Sequence, residues 1–432
     1  MQIMESRQSE LEWAMAGLNA TGEPLVQKTG AVLGPAGFGD DIGTYLYIPY
    51  LARWLQIDLN MAVDVFYYGL CFAAFAVSLT YVFLCFNDSS RRLIALGVGL
   101  YALKVCFAGV RPHTDVYLIN FCAPLLLLPL VLWVLRPGVN KTEGLTAVLL
   151  IIAPLIAFID FARSNSAAPV TIFTLVALAQ RAGVPWRRRF RDIAIFMFAL
   201  GFGVMATTAL IVHRDRYLNS VDRSYHPVVT SHPLWHSIYI GLAYLPNNYG
   251  IPQYSDSVAS AFVRTVDPAA GYLSPRYESI LRDEVVRIAM IDPMFMLKTL
   301  YAKFSQIVSD TKASLILFVF GLLGGIRDPD RRGFDVGLVL ALGAAMAPGL
   351  LVWPAIPYYL GVRGVCVIAA LIGVVRVLSF GLPGQEKLFN KVKDHGLRHS
   401  LELRMSIRRR LFTLARQVSI RMPEGYGTNS VH

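Results

Sequence analysis

Nine apolar runs, most of them as long as a membrane-crossing helix, decide what this chain can fold into. They fall at 62–86, 92–110, 116–135, 144–161, 167–180, 192–212, 312–326, 334–353 and 358–380. A helix crossing roughly 30 Å of hydrocarbon needs about 20 apolar residues, so the fifth run is short and the seventh barely sufficient. Lipid offers backbone amides no water, which leaves helices as the fold for such runs. Composition agrees, with 55% of the 432 residues hydrophobic and 16% charged, against roughly 25% charged in soluble domains. Soluble, disordered and collagen-like classes are excluded, and no repeat of fixed period is present. The fold class is therefore an all-α polytopic membrane protein with about nine spans.

Orientation follows from the short loops, because those rich in Lys and Arg stay cytoplasmic. Alternate connections carry Arg91 and Arg92; Arg136 and Lys141; Arg181, Arg187, Arg188, Arg189 and Arg191; then Arg327, Arg331 and Arg332. The other short loops hold little more than Arg111 and Arg163. This places the C-terminus in the cytoplasm, and 1–61 and 213–311 outside, for a multi-pass protein of the plasma (inner) membrane. The domain plan is an outer acidic segment (1–61), six spans (62–212), a small extracytoplasmic domain (213–311), three spans (312–380) and a tail (381–432). In the outer domain Pro233 is set to open a helix, and Tyr277 to Met290 has a helical period ended by Asp292-Pro293. A further amphipathic helix runs from Pro293 into the seventh span.

The tail from Lys387 to Arg421 sets Leu388, Val392, Leu397, Leu401, Met405 and Leu411 among ten Lys or Arg. Tethered beside a membrane, such a helix lies on anionic lipids rather than on nucleic acid. The five cysteines, Cys71, Cys85, Cys106, Cys122 and Cys366, all sit in or at the ends of apolar runs. There they act as packing residues and suggest neither a disulfide framework nor a metal site.

Four groups of polar residues stand where chemistry could occur. The adjacent carboxylates Asp40 and Asp41 precede Tyr45, Tyr47, Tyr50, Arg53 and Trp54, the pattern of an interfacial helix. Side by side, one carboxylate can serve as a general base, or the two can hold a divalent cation. The plainer reading makes Asp41 the cap of the following helix. Arg111-Pro112-His113-Thr114-Asp115 occupies the next outer loop, where it can hold a phosphate or form a local turn. Arg363, five residues into the last span, can snorkel or clamp a lipid-borne phosphate. Lys104 sits in the second span with no partner evident from the sequence. His226, His232, Trp235 and His236 enrich the outer domain. Pro233 puts His232 at a cap and off the helix, which leaves Trp235 and His236 as pocket-lining or packing residues. No P-loop, dinucleotide glycine fingerprint, nucleophile elbow or HExxH is present. No cofactor is indicated.

With the acidic pair, the interfacial helix, the alternating loops and one late outer domain in view, the chain resembles the GT-C superfamily of membrane glycosyltransferases. Asp40-Asp41 with Tyr45 and the following helix is similar to that family's acidic motif, and Arg111 to Asp115 falls where members carry a further polar outer-loop motif. The resemblance covers most of the chain as layout. It implies a GT-C-like helical bundle and inverting transfer of one sugar from a polyprenyl-phosphate donor to a glycan, lipid or protein acceptor at the outer face. Asp40 or Asp41 would take the acceptor proton. Arg111 and Arg363 would stabilise the departing lipid phosphate. His113 and Asp115 would bind substrate from the same outer loop as Arg111, where such groups can also orient an acceptor hydroxyl, and Trp235 and His236 would bind the acceptor. Family members carry a membrane helix before the acidic loop, and 1–39 has no apolar run of that length, so a first helix upstream of this sequence is expected. Two rivals differ in the residues they would use. An O-antigen-type polymerase or ligase would rely on Arg214, Arg216, His226, His232 and His236. A transporter or scaffold would show matching, Gly/Pro-broken halves, and none is found.

Overall fold

Backbone that must satisfy itself in lipid, together with the spacing of the apolar runs, accounts for an almost wholly helical chain. The computed structural model describes residues 5–37, 41–108, 116–135, 142–181, 183–227, 234–324 and 331–380. It opens with α1 (Glu5–Thr21), an antiparallel hairpin of β1 (Val26–Thr29) and β2 (Val32–Pro35) pairing Val26 with Pro35, and α2 (Thr44–Leu55). Then come α3 (Leu59–Leu84), α4 (Ser89–Ala108), α5 (Leu118–Leu135), α6 (Thr142–Ala162), α7 (Ala168–Ala179) and α8 (Trp186–Val221). A block of α9 (Leu234–Gly241), α10 (Asp256–Val266) and α11 (Pro275–Ile291) precedes α12 (Pro293–Leu323), α13 (Arg331–Leu351) and α14 (Leu360–Phe380).

The described part of each apolar run falls mainly on one of these helices. Seven of them are long and apolar enough to cross a membrane: α3, α5, α6, α8, α12, α13, and α14 with the turn before it. This is a multi-pass membrane protein. The two other runs lie on α4, which carries Arg91, Arg92 and Lys104, and on α7, whose 12 residues reach only about 18 Å. Lys104 is exposed, four residues from the end of α4.

Burial sorts the bundle into centre and rim. The apolar windows of α14 and α5 are 89% and 78% buried inside the protein, whereas that of α8 is 22% buried. Phe198, Phe202 and Met205 stand exposed on α8, an outward apolar face of the kind a membrane helix turns to lipid. Pro124 and Pro129 sit inside α5, where neighbouring helices shelter the freed carbonyls. Small residues let backbones meet at the centre: a Cβ on Gly321 of α12 would run into the Ala369 carbonyl of α14, the packing that substitutes for the hydrophobic effect between helices in lipid. Arg376 of α14 pairs with Asp335 of α13 at 2.7 Å, so a buried cation meets its counter-charge.

The block between α8 and α12 has its own core, built on Tyr239, Ile240, Tyr277, Leu281 and Ile288. Helix α11 spans the stretch read as helical in the sequence. Its Ser274 side chain accepts from the Tyr277 amide, and Asp292 then accepts from Phe295 to start α12, each satisfying an amide that lacks an intrahelical partner. Helix α8 continues to Val221, and α12 runs unbroken from Pro293 to Leu323, the helix read in the sequence as leading from Pro293 into the seventh apolar run. Asp40, Arg111, His113, Asp115, His232, Pro233 and the tail lie outside the described residues.

Candidate active site

Five helix ends converge on one cavity of about 370 Å³: the starts of α5, α7 and α14 and the ends of α6 and α13, through Asn120, Pro169, Gly361, Arg163 and Leu351. The block contributes Leu234, Ser237 and Tyr254 to the same walls. The tight connection from α6 to α7 makes this geometry possible. Asn165 takes a left-handed backbone (φ 64), which asparagine tolerates better than most residues. Ser166 Oγ donates back to the Ile159 carbonyl at 3.2 Å. The turn thereby presents Arg163, Ser164 and Ser166 to the cavity.

The acidic segment docks beside this turn. The Gly43 amide donates to the Phe161 carbonyl at 2.8 Å, and Tyr47 Oη to the Phe158 carbonyl at 3.0 Å, which seats α2 on the end of α6. Only glycine permits that approach, because a Cβ on Gly43 would lie 2.8 Å from Phe161 and Ala162 backbone. Asp41 is buried. Its backbone carbonyl accepts from the Thr44 amide (3.0 Å) and hydroxyl (2.6 Å), while its carboxylate accepts from Arg7 Nε of α1 at 3.0 Å. Tyr45 Oη donates to Glu10 of the same helix. Burial, with Asp41 and Glu10 alongside, pushes the Tyr45 phenol well above its usual range.

Tyr117 joins these parts. The Arg7 guanidinium stands 5.3 Å from its ring centroid and that of Arg163 4.4 Å, both within cation–π reach. Its ring meets Tyr358 edge-on at 5.5 Å. Tyr358 Oη lies 3.2 Å from Tyr254 Oη, and Tyr254 packs on Trp353 at 4.9 Å. Aromatic faces and hydroxyls thus line one side of the cavity. Within it Asn120 Oδ1 and Ser164 Oγ are buried with no hydrogen-bond partner among the described residues, a cost that a bound hydroxyl or phosphate would offset.

A second space of about 390 Å³ runs between α6, α7 and α8, walled by Leu200, Val204 and Thr207 with Asp160 beside them. It shares Ala168 and Ile172 with the cavity. Helix α8, which forms one wall, has the least buried apolar window of the seven, at 22%.

The structure therefore brings together only part of what the sequence singled out. Asp41 reaches the network, whereas Arg363 lines neither space: its Nη2 donates to the Asp310 carbonyl of α12 at 2.8 Å, so it ties α14 to α12. His236 is buried inside the block. Its Nε2 lies 3.1 Å from the Asp256 carboxylate and Nδ1 2.9 Å from Tyr277 Oη, so the ring ties α9 to α10 and α11. Burial pushes the Tyr277 phenol up to about 12. Trp235 packs against the block's core, and its amide and that of His236 donate to Glu278. From this block Ser237 and Tyr254 face the cavity. The sequence reading missed Arg7, Tyr117, Asn120, Tyr254 and Tyr358. It passed over Arg163 although that residue was one of two cations on the cation-poor side, a signal that could have found it. No group of three or more His, Cys, Asp or Glu placed to hold a metal occurs among the described residues. Comparison with known proteins leaves the geometry to speak alone, since no family model, curated relative or solved structure matches the chain.

Proposed function

We propose that this protein is a GT-C-like glycosyltransferase that moves a sugar from a polyprenyl-phosphate donor to an acceptor hydroxyl at the outer face of the membrane. The observation that carries the reading is the placement of Asp41. The one described carboxylate of the acidic pair is linked through Arg7 and Tyr117 to Arg163, on the wall of a cavity that shares residues with a lipid-facing groove. A donor with an isoprenoid tail and a phosphate-linked sugar needs those three things together: an apolar way in from lipid, a cation for the phosphate, and polar and aromatic groups for the sugar.

In the reaction the acceptor oxygen attacks the anomeric carbon and the bond from that carbon to the phosphate oxygen breaks. The acceptor proton passes to a carboxylate of the Asp40–Asp41 pair, and the polyprenyl phosphate leaves with the bonding electrons. Arg163 stabilises the charge that develops on the departing phosphate. Tyr254 and Tyr358 offer ring faces and hydroxyls to the sugar. The outer location rests on the loop charges, since Arg163 lies on the cation-poor side.

The test is transfer of label from a radiolabelled polyprenyl-phosphate sugar pool to membrane acceptors. Asp40→Asn and Asp41→Asn, each at wild-type membrane abundance, are expected to lower transfer at least tenfold. Full transfer by both variants removes the acidic pair from the chemistry.

A further inference from the structure

Nothing in the apolar pattern of the chain asks for α1, yet this polar helix supplies the counter-charge of the acidic segment. We infer that Arg7 and Asp41 form a positioning pair for the transfer proposed above, an inference that rests on that reading. Arg7 grips the Asp41 carboxylate with its Nε and the Tyr117 ring with its guanidinium face, and so fixes the acidic segment against the Arg163 wall of the cavity. The Asp41 carboxylate holds the segment in place and does not take the acceptor's proton.

Three observations converge on this division of labour. A general base must present an oxygen within hydrogen-bond reach of the acceptor hydroxyl. Asp41 is instead buried, with Oδ2 at 3.0 Å from Arg7 Nε and its backbone carbonyl engaged by Thr44, and it is not among the residues lining the cavity. Secondly, Tyr117 is shared by two guanidinium groups, Arg7 at 5.3 Å and Arg163 at 4.4 Å. A displacement of Arg7 therefore alters the surface on which the cavity's own cation rests. Thirdly, α1 has a separate anchor on the same segment, the bond from Tyr45 to Glu10. Docking of the helix and positioning of the charge are thus carried by different side chains and can be separated by mutation. Misplacing a reacting group by about an ångström costs on the order of a hundredfold in rate, which sets the scale of the effect.

The experiment measures kcat and donor KM per folded molecule for the full chain in membranes, with the labelled polyprenyl-phosphate sugar as donor. Arg7→Gln is expected to lower kcat about 10–100-fold with donor KM within about threefold of wild type, the signature of lost geometry. Arg7→Lys recovers part of the loss, since it restores the charge without the planar face. Arg7→Gln combined with Asp41→Asn is no worse than the weaker single variant, because the two act as a unit. Glu10→Gln, which weakens helix docking alone, stays within about twofold of wild type.

Wild-type kcat in Arg7→Gln overturns the inference while leaving the transfer reading intact. So does a fall in Glu10→Gln as large as that in Arg7→Gln, or losses that multiply in the double variant. Absence of any transfer by the wild type overturns the reading itself and this inference with it. Where Arg7→Gln does not fold, Tyr117→Leu removes the other half of the grip and is expected to lower kcat about tenfold, with wild-type kcat as the contradicting result.

Discussion

Arg163 is the residue on which the cavity's electrostatics turn. Its burial would be costly for a cation with nothing to face, and the Tyr117 ring at 4.4 Å supplies part of what water would otherwise give. Arg163→Ala is predicted to lower kcat/KM for the donor about a hundredfold, equivalent to about 2.7 kcal/mol. Arg163→Lys is predicted to recover little of it, since lysine lacks both the planar face for Tyr117 and the fork for a phosphate. Steady-state rates with the labelled donor check both. At this scale the sequence was partly readable. Asp41 stood out as half of an acidic pair, but its partner Arg7 lies 34 positions away on a helix with no apolar signature. Tyr117 and Tyr254 looked like ordinary aromatic residues until five helix ends placed them together. Arg363 and His236 show the converse, with chemistry-bearing side chains spent on tying α14 to α12 and on holding the block together.

Among the elements, α12 shows how a single side chain sets a boundary between block and membrane helix. Asp292 accepts from the Phe295 amide and from Tyr249 Oη, each at 2.9 Å. The amide bond, then the phenol, holds its carboxyl below the usual carboxylate range. A carboxyl depressed on folding stabilises the fold above its unfolded value, about 3.9, and that contribution is lost as pH falls through the lower folded value. Thermal melts of the purified protein between pH 6 and pH 3 should therefore show the midpoint falling on the acid side. Asp292→Asn should start lower and fall less steeply. The start of α12 was readable in Asp292-Pro293, because a capping carboxylate followed by a first-turn proline is a helix start wherever it occurs. Helix α1 and the hairpin were not, because their stability comes from packing on α2 and α8 and not from a periodic apolar face.

For the whole molecule, the apolar runs were enough to give the helical bundle, since in lipid the backbone has almost no alternative to helix. They could not give the cavity, which depends on how five helix ends meet. The orientation proposed from loop charges is open to direct labelling. All five native cysteines are buried, so an introduced thiol is read against a low background. Ser220→Cys at the end of α8 is predicted to react with a membrane-impermeant maleimide added to intact cells. Ser89→Cys at the start of α4 is predicted to react only after permeabilisation, and the opposite result inverts the topology. The central claim, that a lipid-borne sugar phosphate occupies the cavity through the groove between α6, α7 and α8, is tested most directly by photocrosslinking. A polyprenyl phosphate carrying a diazirine on its tail is bound to the purified protein, irradiated, and the labelled peptides are sequenced. The account predicts label on Ile172, Leu200 and Val204, displaced by excess unlabelled polyprenyl phosphate and reduced in Arg163→Ala. Label spread evenly over the exposed faces of α3, α12 and α13, and not displaced, would contradict it.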